Sequence, residues 1–246
     1  MKKTYPLLLA RYFLSIIFLT GFSASALCQQ GKTSPGEHRI FPDRNTYSLG
    51  INTQFAIDGL LDQSTFTPME ILWRKGTKNN QALRARLKGM LTNTDRNDEQ
   101  ERRKIHQSHL ALALGYEWHR PLGNRFGYYY GGELEMGVNN DNVTRHFINN
   151  TSIGDFFVKR TDFEKTRRIG VLPIAGFTYN PLSGVFVSLE MRLEIFYEKL
   201  KFTSDSFIAP IETPNDSMPG SWGRYNITSW KLNFQPYSGI FINLEF

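Results

Sequence analysis

From Tyr47 the chain alternates with a period of two. Tyr47, Leu49, Ile51, Thr53, Phe55 and Ile57 share one parity, and Ser48, Gly50, Asn52, Gln54 and Ala56 the other. Successive side chains of a strand point to opposite faces, so residues 47–57 predict a strand with one apolar and one small or polar face. The same alternation recurs seven more times. Its apolar rows are Met69, Ile71 and Trp73, then Leu83, Ala85, Leu87 and Leu91, then Leu110, Leu112, Leu114, Tyr116 and Trp118. Phe126, Tyr128, Tyr130, Leu134, Met136 and Val138 form the fifth row, and Ile169, Val171, Ala175, Phe177 and Tyr179 the sixth, weakened by Pro173. Val185 to Tyr197 at odd positions are the seventh, and Trp230, Leu232, Phe234, Ile240, Ile242, Leu244 and Phe246 the eighth. Pro236 and Ser238 interrupt the last row and predict a bulge or bend.

The connections alternate in length. KGTKNN, RPLGN and NPLSG are short turns, whereas the segments near 58–66, 93–107, 139–167 and 199–226 read as longer, mostly polar loops. Strands joined in this way predict an all-β fold, a single closed antiparallel barrel of about eight strands with short turns at one end and long loops at the other. Tyr47, Trp73, Trp118, Phe126, Tyr179 and Phe246 fall at the short-turn ends of their strands, and Tyr197 and Trp230 near the opposite rim. Aromatic rings gather at two levels where a surface passes from apolar to wet.

Composition supports a surface of that kind. Aromatic residues make up 14% of the chain while the mean hydropathy is −0.38. An apolar outside with aromatic girdles and a polar inside accounts for that combination. The first residues carry Lys2, Lys3 and Arg11, followed by an apolar run to Phe22 and the small residues of SASALC. This order predicts a cleaved signal peptide over 1–28, cut after Ala26 or after Cys28, because the run is too short to span a bilayer as a helix. Leu27 stands before the only cysteine, Cys28, where a lipid-modified N-terminus wants a small residue, so Cys28 reads as part of the leader. Residues 29–44 read as a flexible periplasmic arm and 45–246 as the barrel. Three of the positive charges behind the net +6 lie in the leader, and what is left argues against nucleic acid as a partner.

The leader, the alternating strands and the terminal INLEF resemble the small outer-membrane β-barrels of bacteria, the group that includes the barrel domain of outer-membrane protein A. The resemblance covers residues 45–246. It implies a transmembrane barrel in the outer membrane, with periplasmic turns and extracellular loops. It also implies lipid as a neighbour, and the barrel-assembly machinery as a partner that reads the C-terminal aromatic strand ending at Phe246.

The inward parity is charged. Glu70, Arg74, Arg84, Arg86, Lys88, Glu117, Glu133, Glu135, Glu190, Arg192, Glu194, Glu198, Lys231 and Glu245 all fall there. An interior bounded by eight strands is about wide enough for side chains to fill, so these groups predict a salt-bridged plug and no open pore. Around the expected loop 93–107, Arg102, Arg103 and Lys104 sit beside several acids and predict a solvated loop.

One pair carries candidate chemistry. His106 and Ser108 stand two apart, hence on one strand face, and share the parity of Leu110 and Leu112. The pair is similar to the His-x-Ser of the barrel lipid A deacylases, which implies a histidine base and a serine nucleophile. No acid can be assigned beside the histidine. The other histidines do not cluster at metal-ligand spacing, and no cofactor is expected.

Three classes of function fit. The leading one is a non-enzymatic envelope protein, structural or adhesive, meeting lipid or an extracellular partner through its loops. The second is a lipid-modifying enzyme using His106 and Ser108. The third, a lipocalin-like carrier, turns its apolar face inward and fits poorly with Glu190, Arg192 and Glu194 on that face.

Overall fold

The computed structural model describes residues 45–54, 68–78, 80–98, 101–151, 154–210 and 218–246. The strands are β1 (Tyr47–Asn52), β2 (Met69–Lys78), β3 (Gln81–Asn97), β4 (Glu101–Pro121), β5 (Phe126–Thr151), β6 (Gly154–Leu182), β7 (Val185–Pro210) and β8 (Met218–Glu245). Each pairs antiparallel with its sequence neighbours, and β8 returns to β1, with Ser48 opposite Glu245 and Asn52 opposite Phe241, so the sheet closes into a ring. Closure gives every strand two partners and leaves the apolar rows no alternative register.

Cross-strand partners show how the strands slope. Ile242 faces Ile51, then Ile71, Leu87, Leu112, Met136, Ile169, Tyr197 and finally Trp230. The path leaves β8 at Ile242 and re-enters the same strand at Trp230, the stagger of strands tilted to the ring axis.

Two short turns need a left-handed backbone. Asn80, between β2 and β3, has φ 62°, and Gly184, between β6 and β7, has φ 78°. Asparagine and glycine adopt that region at least cost. The interruption expected at Pro236 and Ser238 is a register shift. Glu190 pairs with Gly239 and Arg192 with Gln235, and the Ser238 hydroxyl donates to the Glu190 carbonyl at 2.8 Å.

The segments 93–107, 139–167 and 199–226, expected as long loops, are mostly strand. β3 and β4 pair as far as Asn97 and Arg102, β5 and β6 as far as Thr151 and Gly154, and β7 and β8 as far as Ile208 and Met218. Here both faces are largely polar, so the hydrophobic period fades while the backbone ladder continues in the register set lower down. The leader, the arm at 29–44, residues 55–57 of the expected first strand and the loop near 58–66 lie outside the described residues.

The ring is apolar outside and polar inside, the reverse of a water-soluble domain. Leu83, Leu112, Leu134, Met136, Phe177, Leu189 and Leu232 are exposed, whereas Arg74, Arg84, Arg86, Glu117, Glu190 and Arg192 are buried. At the short-turn end Tyr47 lies against Trp73 and Phe246, with centroids at 6.1 and 6.3 Å, and Phe126 stacks on Tyr179 at 4.8 Å. At the far rim Tyr197 meets Trp230 at 5.3 Å.

Candidate functional site

The interior is one connected set of charges. Arg84 on β3 reaches Glu117 on β4 at 2.7 Å, Glu133 on β5 at 2.6 Å and Glu190 on β7 at 2.8 Å. Arg192 on β7 holds Glu190 at 2.7 Å and Glu70 on β2 at 2.8 Å. Arg74 on β2 joins Glu117 at 2.8 Å and donates to the Asn243 side chain on β8. Arg86 contacts Glu133, and Glu135 at 3.3 Å. β3 and β7, and likewise β2 and β7, are not neighbours in the ring, so these contacts cross the interior. A buried ion pair gains enough from Coulomb attraction only when its remaining donors and acceptors are also met. Here each central carboxylate has at least two cationic or hydroxyl partners, with the Tyr129 hydroxyl donating to Glu190 at 3.0 Å.

Of the inward residues expected in this network, Arg84, Arg86, Glu117, Glu133, Glu135, Glu190 and Arg192 come together in it. Glu194 is buried but accepts from the Asn233 amide at 3.3 Å. Lys231 departs from expectation. Its parity is inward, yet its side chain is 63% exposed, pairing with Glu198 at 2.6 Å. At that height β8 has β7 on one side only among the described residues, so an inward-pointing side chain meets solvent. Arg168 and Tyr129 are among the members missed by sequence reading. Arg168 bonds Glu135 at 2.7 Å, and Tyr129 lies under Gly176, where a Cβ would come 2.4 Å from its ring. The parity of Arg168, opposite to Ile169 and Val171, is the signal that could have found it.

His106 and Ser108 are placed as their spacing requires, outward on β4 above Leu110. A side chain absent from the sequence reading joins them: Asn93 on β3 lies directly opposite His106, and its Oδ1 accepts from Nδ1. That contact leaves Nε2 as the basic nitrogen. Ser108 instead accepts from Asn140 on β5 at 3.3 Å. A groove of about 770 Å³ runs past Asn93, Asp95, Lys104, His106 and Asn142, and Ser108 does not line it. The cations expected in a loop here are on strand β4, and Arg102 is paired with Asp95 at 2.9 Å.

Fold and interior together define a class, an all-β ring of eight antiparallel strands with its apolar residues outward and its charges within. No family model matches the chain, and no curated protein matches it.

Proposed function

We propose that the chain is an exported bacterial outer-membrane β-barrel with a non-enzymatic role at the cell surface, structural or adhesive, and no open pore. One observation carries the reading. Leu112, Met136 and Leu232 are 51, 58 and 72% exposed, while Arg74 and Arg84 are 0 and 1% exposed. Water penalises such a surface, whereas a hydrocarbon layer accommodates it, provided every backbone group is paired within the sheet. The bonds from Arg84 to Glu190 and from Arg192 to Glu70 occupy the cross-section, which supports a plug. The strands continuing past the apolar rows supply a stiff polar sheet for an extracellular partner. The test is fractionation of expressing cells followed by gel migration with and without boiling. A membrane barrel migrates differently when unheated. A chain recovered in the soluble periplasmic fraction, with migration unaffected by heat, refutes the reading.

The Asn93 contact to His106 favours a second reading, a lipid-modifying enzyme with Ser108 as nucleophile, His106 as base and Asn93 as the orienting group. Mass spectrometry of outer lipids from cells carrying the wild type or Ser108→Ala tests it. Identical acyl patterns reject the enzyme.

A further inference from the structure

Above the apolar rows, β6 and β7 carry cations directly opposite cations. Arg167 pairs in register with Lys199, and Lys165 with Lys201. All four share the outward parity of Ile169, Val171, Ile195 and Tyr197. Like charges directly opposite each other destabilise a sheet, and here two such pairs follow in succession.

No carboxylate relieves them on that face. The flanking partners are Val138 and Asn140 on β5 and Thr228 and Asn226 on β8, none of them acidic. The adjacent carboxylates Glu164 and Glu198 have the opposite parity, and Glu198 is held by Lys231. None of the four cations is in an ion pair among the described residues, whereas Arg102 is matched by Asp95 and Arg160 by Asp162. Arg167, Lys199 and Lys201 are exposed and Lys165 is half-buried.

Strand spacing places the Cβ atoms of these four residues at the corners of a rectangle of about 5 by 7 Å, from which their long side chains can converge. A phosphate bridging it would meet the planar fork of an arginine and the point charges of lysines, the donors that phosphate oxygens prefer. Immediately toward the turn end the same two strands present Ile169, Val171, Ile195 and Tyr197, a continuous apolar strip. That continuity selects a phosphate attached to acyl chains over a soluble one.

We propose that Arg167, Lys165, Lys199 and Lys201 bind the phosphate headgroup of a membrane lipid whose acyl chains lie along Ile169, Val171, Ile195 and Tyr197. The site rests on the outer-membrane reading above, and its test separates the two. Trp230 is in ring contact with Tyr197 and serves as the reporter. A chain with Trp73→Phe, Trp118→Phe and Trp222→Phe is reconstituted in vesicles of phosphatidylcholine and phosphatidic acid, one or the other brominated, and quenching of Trp230 is read. The site requires that phosphatidic acid be preferred around Trp230 by about fivefold or more, the attraction expected of at least one unneutralised cation near a surface. A companion chain retaining only Trp118, at the opposite rim, should show no preference.

Arg167→Gln, Lys165→Gln, Lys199→Gln and Lys201→Gln together should bring the preference at Trp230 close to unity while heat-modifiable migration is unchanged. Inorganic phosphate in the buffer should not compete, and displacement by it would overturn the lipid assignment in favour of a soluble phosphate. Equal quenching by the two lipids overturns the site while leaving the barrel standing. Quenching by neither lipid overturns the barrel reading and the site with it.

Discussion

Arg192 on β7 grips Glu70 on β2 with both terminal nitrogens, Nη1 at 3.1 Å and Nη2 at 2.8 Å, across the interior of the ring. Its Nε holds Glu190 at 2.7 Å, so one guanidinium ties together carboxylates from two strands that do not pair. Arg192→Ala should lower stability by about 3 to 5 kcal/mol, because it leaves buried charge short of a partner. The measurement is the denaturant midpoint of the folded protein in detergent. An unchanged midpoint would mean that Arg192 contributes no buried pairing.

The same crossing contacts predict electrical behaviour. The purified protein in a planar bilayer should show no stable conductance steps, since the pairs Arg84–Glu190 and Arg192–Glu70 reach across the interior between strands that are not neighbours. Large steady steps would require the plug to be displaced.

Leu189 faces outward and is 39% exposed, while its neighbour Ser188 is fully buried. Leu189→Arg should cost about 2 to 4 kcal/mol in lipid, as a charge near the middle of an apolar belt must be drawn to an interface. A neutral result in refolding titrations would place Leu189 away from hydrocarbon.

Orientation is tested by tags. An epitope inserted at 152–153, between β5 and β6, should be labelled on intact cells, and one at Leu122-Gly123, between β4 and β5, should not. These connections lie at opposite ends of β5. Labelling of the Leu122-Gly123 tag alone would invert the assignment of inside and outside.

Asp162 lies on the part of β6 beyond the apolar rows. Burial pushes its carboxyl up, but the Ser204 hydroxyl at 2.6 Å and the Arg160 guanidinium at 2.9 Å outweigh that and hold it below its ordinary value of 3.8. A carboxyl depressed in the folded state stabilises fully above its unfolded value, and the contribution is lost as pH falls through the lowered one. Acidification below pH of about 4 should therefore speed proteolysis of the outer sheet more in the wild type than in Asp162→Asn. Equal acid sensitivity of the two proteins would remove Asp162 as a cause.

Strand identity and facing were legible in the chain because the side-chain period of a strand is two. Leu110 to Trp118 at even positions had to share a face, and Arg84, Glu117 and Glu190 had to lie on the other. The polar stretches 139–167 and 199–226 misled for the same reason, since a strand wet on both faces carries no hydrophobic period, and only the register propagated from below reveals it. Parity likewise placed His106 and Ser108 together but was silent about Asn93, whose approach depends on the β3–β4 ladder continuing past Leu91. The choice of partners is tertiary. Which carboxylate Arg192 meets, why Lys231 reaches solvent, and why Arg167 stands opposite Lys199 all follow from the slope and register of strands around a closed ring. A local pattern of alternation determines the side on which a residue lies, but the residue it meets is decided only when all eight strands close on one another.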